Sequence, residues 1–352
     1  MSAAEIRVDQ LTGLRTILAS QRAERPGALS VAEVPGDPAD EADCPFCEGH
    51  EDRTPPELWA ARSGGSAPDS PGWEQRSVPN PYPVLVQAQS QPSQAESPRG
   101  ELGLSSAADP LLASARTASP DLFGSSPASG SHEVIVNCPR HVVGLGELSG
   151  EEMAGALSAW RQRVAAHAEA ASYVQLIVNA GSEAGASVAH THAQLYALPF
   201  VPARVARERE RFSSYHERTA GGQLLSDIAV EEIRRGERLV AVDEEAILLC
   251  PWASPSPYTM WLLPRTPEPR FDRDERGAAL LARALGALAG ALGCVPQVNL
   301  WVRTAPRATE QFHWRIEIAP RVGIKAGFEL STGVEVNTLA PEAAAERLRA
   351  AL

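Results

Sequence analysis

His190-Thr191-His192-Ala193-Gln194 is the stretch on which the reading turns. It is reached through Asn179-Ala180-Gly181-Ser182-Glu183-Ala184-Gly185-Ala186-Ser187. The flanks, Val174-Gln175-Leu176-Ile177-Val178 before and Leu195-Tyr196-Ala197-Leu198 after, are rich in apolar and β-branched residues and predict strands. Side chains alternate between the faces of a strand, so His190, His192 and Gln194 are expected on one face and Thr191, Ala193 and Leu195 on the other. Two imidazoles and an amide beside a Gly/Ser loop suit a phosphate site with a histidine nucleophile.

The sequence outward from this run is that of an ordinary globular protein. A chain of 352 residues with 43% hydrophobic content is long enough for one large domain or two modest ones. The net charge of −12 argues against a broad nucleic-acid surface, while leaving room for a local Arg/Lys pocket for one nucleotide. No apolar run approaches the roughly 20 residues that span a bilayer. Met1-Ser2-Ala3-Ala4-Glu5-Ile6-Arg7 lacks a signal-peptide pattern, so a cytoplasmic protein with no membrane partner is expected.

A Ser/Ala/Pro/Gly/Gln-rich stretch at about 87–131 reads as a flexible surface insertion. His132-Glu133-Val134-Ile135-Val136-Asn137 alternates like a strand. Ser149-Gly150-Glu151-Glu152 opens a helix expected to run to about Ala171, and a charged helix is expected from Ala203 to about Arg218. Ala246-Ile247-Leu248-Leu249, Thr259 to Arg265, Val298 to Val302 and His313 to Ile318 read as strands, with a long Ala/Leu helix from Asp272 to Leu292 and a last helix from Pro341 to Leu352. The element order of the second half repeats that of the first, and Pro139-Arg140 is faintly echoed by Pro264-Arg265, so an internal duplication is inferred.

Of five cysteines, Cys44 and Cys47 form a C-x-x-C hook. Two thiolates at that spacing can hold a tetrahedral Zn²⁺ if two more N or S ligands join them, and His141 and His190 are the candidates. No thioredoxin-like context supports a redox pair. Four protein ligands would leave the metal no open position, making the site structural. Two strand positions span about 6.6 Å, so a metal on His190 would not touch a phosphate held by His192.

Taken together, these residues resemble the galactose-1-phosphate uridylyltransferases of the histidine-triad (HIT) superfamily. The resemblance is carried by Arg22-Ala23-Glu24-Arg25-Pro26, Cys44-Pro45-Phe46-Cys47, Val78-Pro79-Asn80-Pro81-Tyr82-Pro83, Glu133 through His141, Asn179 to Pro202, His313-Trp314-Arg315-Ile316-Glu317 and Ala326-Gly327-Phe328-Glu329-Leu330. It implies an α+β, HIT-like fold of two tandem halves, each an antiparallel sheet flanked by helices, at 1–202 and 203–352. It implies structural zinc on Cys44, Cys47, His141 and His190, and His192 as the nucleophile. Gln194 and Ser187 would contact the phosphate, Asn80 and Asn179 would line the nucleotide pocket, Arg25 would bind substrate, and Phe328 and Glu329 would reach the sugar, in a homodimer.

Thr191 stands where the family usually has proline, and Ala186 where some members carry cysteine. Glu208 occupies one expected ligand position of a second metal, but Glu317 and Ala319 stand where its histidines would be, so no second metal is expected. The activity implied is a ping-pong transfer of UMP between UDP-glucose and a hexose 1-phosphate such as galactose 1-phosphate. The alternatives are a nucleoside-diphosphate-sugar phosphorylase of the ADP-glucose type, a HIT-type nucleotide hydrolase and a non-catalytic nucleotide-binding regulator.

Overall fold

The computed structural model describes residues 4–24, 27–34, 41–86 and 126–352. Arg25 and residues 87–125 of the insertion lie outside them. Thirteen strands and six α-helices form two sheets and their covering layers among the described residues. The strands are β1 (Glu5–Val8), β2 (Arg15–Leu18), β3 (Trp59–Ala61), β4 (Gln75–Pro79), β5 (Ser131–Val136), β6 (Tyr173–Ala180), β7 (His192–Leu198), β8 (Leu239–Val242), β9 (Ala246–Leu249), β10 (Met260–Pro264), β11 (Val298–Arg303), β12 (Arg315–Pro320) and β13 (Glu335–Asn337). The helices are α1 (Gly150–Ala168), α2 (Ala203–Arg218), α3 (Leu224–Arg235), α4 (Ala278–Leu292), α5 (Gly327–Thr332) and α6 (Pro341–Ala350).

Ten strands form one antiparallel sheet in the order β3-β4-β5-β7-β6-β11-β12-β10-β9-β8. Counted outward from the middle, β6-β7-β5-β4-β3 is repeated by β11-β12-β10-β9-β8. The crossover helices match as well: α1 follows β5 as α4 follows β10. The register makes the correspondence residue by residue. Ile177 pairs with Gln194 as Trp301 pairs with Glu317, and Ile177 and Trp301 pair with each other across the centre. His192 therefore corresponds to Arg315, Gln194 to Glu317 and His190 to His313. The fold is α+β with two tandem HIT-type halves, as the resemblance implies. The 1–202 and 203–352 division is our proposal for those halves. Residues 5–18 are a separate matter, because β2 pairs with β13 in a three-stranded sheet and Arg7 bonds to Trp252 and Glu342.

One face of the large sheet is dry. Ile135, Leu176, Val178, Ala193 and Leu195 of the first half join Leu248, Leu262, Leu300 and Ile316 of the second under α1, α4 and α6. Helix α1 starts where its capping sequence places it: Ser149 Oγ accepts from Glu152 N, and Ser149 N–H donates to the Glu152 carboxylate. It ends at Ala168, three residues before the expected Ala171. Helix α4 begins at Ala278 rather than Asp272. Asp272 belongs to a single 3-10 turn, and the Asp274 carboxylate is held by Trp314 Nε1 and by Arg276. Gly277 then makes the entry at φ 100°, where a Cβ would come within 2.9 Å of Leu262. No helix among the described residues is long and apolar enough to cross a membrane.

Candidate active site and metal centre

The opposite face carries the chemistry. Strand β7 begins at His192, so His190 sits in the turn before the strand rather than on its face. That shift separates the two imidazoles by role. His190 is buried with Nδ1 3.5 Å from the sulfurs of both Cys44 and Cys47, while its Nε2–H donates to Cys138 O at 2.9 Å. His141 Nδ1 lies 3.3 Å from Cys47 Sγ. The four donor atoms lie within 4.8 Å of one another.

This donor set fits one tetrahedral cation. Zinc–sulfur and zinc–nitrogen bonds of about 2.3 and 2.05 Å at the tetrahedral angle put sulfur and nitrogen about 3.6 Å apart, close to the separations here. Burial and the neighbouring Cys44 push the Cys47 thiol up to about 12, so a bound cation is what would hold these sulfurs as thiolates. The Nε2–H donation by His190 to a carbonyl is the outer contact expected of a ligating imidazole.

Phe46, inside the hook, sets its ring edge against His192 at 5.1 Å. The Cys44–Cys47 hook and His192 thus pack as one unit. His192 is buried, and its Nδ1–H donates to His190 O at 2.7 Å, leaving Nε2 with the lone pair. Burial pushes its pKa down, against the smaller opposing pull of that hydrogen bond, so the ring is held neutral.

Thr191 explains how the motif works without its usual proline. Its N–H donates to Val142 O, and its hydroxyl accepts from Asn137 Nδ2 at 3.1 Å. Asn137 Oδ1 in turn accepts from Trp160 Nε1 on α1. The turn between the two histidines is bonded to the strand beside it and to the covering helix.

Gln194 lies on the His192 face and is oriented by two residues that the sequence reading passed over. Tyr196 Oη donates to Gln194 Oε1 at 2.8 Å, and His132 Nε2 lies 3.1 Å from the same oxygen. Val84 N–H donates to His132 Nδ1, which assigns the remaining proton to Nε2. With its oxygen occupied, Gln194 has its NH₂ to offer. Asn80 joins this cluster, 3.1 Å from His132 Nε2. His132 stacks on Tyr196 at 4.1 Å. Neither contact is visible in sequence spacing, because each crosses between strands.

Asn179 continues along β6 on the same face and lines a cavity of about 840 Å³. The cavity also holds Phe328 and Glu329, together with Arg15, Arg22, Arg204, Arg321, Asn299 and Trp301. Those four guanidiniums have no ion pair among the described residues, and they share the cavity with the carboxylates of Asp9, Glu317, Glu329 and Glu335. Glu329 also caps its own short helix by accepting from Ala326 N. Ser187 is exposed, and its hydroxyl makes no hydrogen bond among the described residues. His192, Gln194, Ser187 and Asn80 do not line the cavity; Asn179 stands between it and them.

The mirror position in the second half is closed by charge. Arg315, the counterpart of His192, is buried and donates to Glu208 and Glu317 at 2.9 and 2.7 Å. Arg303 reaches Glu317 at 3.2 Å. Glu208 is engaged there with Arg315 and Arg303.

Known proteins resemble this chain in sequence and fold. The family model described as "Galactose-1-phosphate uridyl transferase, N-terminal domain" matches residues 75–202. The chain is 28% identical to an ADP-glucose phosphorylase from Arabidopsis thaliana over 98% of its own length and 92% of the relative's. It is 28% identical to the Haemophilus influenzae galactose-1-phosphate uridylyltransferase over 65% and 69% of the two chains. A crystal structure of an Arabidopsis thaliana ADP-glucose phosphorylase with bound ADP-glucose superposes with a TM-score of 0.74 at 25% identity, covering 99% of each chain. Over residues 75–202 the chain is thus similar to the galactose-1-phosphate uridylyltransferases, and over nearly its whole length it is similar in sequence and fold to an ADP-glucose phosphorylase.

Proposed function

We propose that this chain is a nucleoside-diphosphate-sugar phosphorylase of the ADP-glucose type, working through a nucleotidyl-histidine on His192. The observation that carries the reading is a neutral, buried imidazole with Nδ1 tied to the His190 carbonyl in the turn before its strand and Nε2 without a partner among the described residues. The choice of donor and acceptor is supported by the full-length similarity to the Arabidopsis enzyme.

His192 Nε2 attacks the α-phosphorus of the nucleotide sugar. The P–O bond to the sugar phosphate breaks, and its electron pair leaves with sugar 1-phosphate, whose second pKa near 6 makes it a competent leaving group. An oxygen of inorganic phosphate then attacks the same phosphorus, releasing nucleoside diphosphate and free His192. The Gln194 amide, the Ser187 hydroxyl and loop N–H groups stabilise the charge on the transferring group. Asn80 and Asn179 border the nucleotide, and the cavity with Phe328 and Glu329 takes the sugar phosphate. Zinc on Cys44, Cys47, His141 and His190 would supply rigidity and folding energy rather than Lewis acidity. A homodimer belongs to the same reading: Ile324 and Phe328 stand exposed at the cavity, with exposed Leu330 close by in the chain.

The second reading, UMP transfer from UDP-glucose to galactose 1-phosphate, is favoured by the family match over residues 75–202. Loading the protein with ADP-glucose or UDP-glucose and then adding phosphate or galactose 1-phosphate separates the two. Discharge by phosphate, yielding ADP, is expected; discharge by the hexose phosphate alone would move the assignment to the uridylyltransferase. Metal analysis is expected to find about one zinc per chain, lost in Cys44→Ser. Unchanged metal content in that variant would remove the zinc assignment.

A further inference from the structure

The second half has no nucleophile, yet its central strand holds the loop that precedes the nucleophile. We infer that Gln297 and Asn299, at the start of β11, are positioning residues that keep loop 181–187 in its phosphate-receiving form. The catalytic arm of this inference rests on the reading above.

Gln297 is 4% exposed, and every polar group it owns is committed. Its Oε1 accepts from Glu183 N at 2.6 Å and from Ala184 N at 3.3 Å. Its Nε2 donates to Glu33 O at 2.9 Å, its backbone N–H to Ala32 O, and its carbonyl accepts from Arg321 N. Asn299 spends both Nδ2 hydrogens on the same region, donating to Asn179 Oδ1 at 2.9 Å and to Ala184 O at 2.7 Å. One donor thereby grips the loop, and the other sets the amide of Asn179, the neighbour of the His192 site.

The consequence is a division of the loop's donors. Glu183 gives its N–H to Gln297, Ala184 shares its N–H between Gln297 and Gly181 O, and Gly185 and Ala186 bond back to Ser182 O and Gly181 O. Ser187 and Val188 N–H have no partner among the described residues, so the clamp leaves these, with the Ser187 hydroxyl, for an incoming anion. Gly181 is required for the fit. It sits at φ 95°, and a Cβ there would lie 2.4 Å from Gln297 Cγ and Cδ, a side chain with nowhere to go.

The test uses full-length Gln297→Met, which keeps volume but has no acceptor, Gln297→Glu, which restores one, and Asn299→Ala at a half-buried position. Hydrogen–deuterium exchange across 179–190 is expected to rise about tenfold at Glu183 in the Met variant, less at Ala184, which keeps its bond to Gly181 O, and to remain protected in the Glu variant. The single-turnover rate of His192 loading by ADP-glucose is expected to fall about 10- to 100-fold in the Met and Ala variants. Binding of ADP-glucose by Gln297→Met, measured with His192→Ala also present, should change less than about threefold. Unchanged exchange in folded Gln297→Met, an unchanged loading rate, or an equal loss in binding would overturn the inference. Failure of the underlying reading has its own signature: wild-type protein that loads no nucleotide while exchange still responds, which overturns the catalytic role alone.

Discussion

Thr191 uses the two groups that a proline in its place would lack, an N–H and a hydroxyl. Removing only the hydroxyl leaves Asn137 Nδ2 buried and without its acceptor, at a cost of about 1–3 kcal/mol. Thr191→Val is therefore expected to lower unfolding free energy by that amount in urea titration; equal stability would mean that the bond contributes nothing. At this scale much of the site was legible. Cys44, Cys47, His141 and His190 do converge, because metal ligands are chemically conspicuous wherever the chain brings them from. His132, Gln297 and Asn299 were not legible, since their hydrogen bonds reach neighbouring strands and a distant loop that spacing alone does not reveal, and Tyr196, two residues from Gln194 on the same strand, stands out only once the side chains are placed.

The elements are joined by polar contacts as well as by apolar packing. Glu133 on β5 accepts from Arg163 and His167 on α1 and from Ser77 on β4. Burial alone would raise this carboxyl's pKa; the His167 and Arg163 hydrogen bonds outweigh it and hold the group down at about 2. A depressed carboxylate pKa contributes stability in full above its ordinary value near 4.5, and that contribution fades as pH falls toward 2. The shift corresponds to about 3 kcal/mol at neutral pH. Glu133→Gln should therefore be destabilised at pH 7, with the gap to wild type narrowing by about 1 kcal/mol at pH 3.5; a gap independent of pH would contradict the assignment. Strands β5, β6 and β9 to β12 could be read from alternation and apolar runs. Helix α4 could not be placed correctly, because the tertiary anchoring of Asp274 by Trp314 overrides a continuous helical pattern. Helix α3 and the pairing of β2 with β13 gave no sequence signal that was recognised.

The whole molecule is a duplication whose halves have diverged at the mirrored site. His192, Gln194 and Asn179 face Arg315, Glu317 and Arg303 across the central Ile177–Trp301 pair. Element order made the duplication legible, but the residue-by-residue correspondence needed the register. In the second half, Glu317 is drawn down to about 2: burial opposes ionisation, and Arg315 and Arg303 overcome it. Arg315→Met would leave Glu208 and Glu317 sharing Arg303 in a dry interior, so a loss of about 3–5 kcal/mol is expected in denaturant unfolding. A loss under about 1 kcal/mol would show that the buried charges are not coupled.

The central claim is the covalent role of one imidazole. Mass spectrometry of protein quenched in base after incubation with ADP-glucose tests it directly. The account predicts a base-stable, acid-labile nucleotidyl group on the peptide containing His192, absent from His192→Ala along with turnover. An adduct on another residue, or full turnover in His192→Ala, would contradict it.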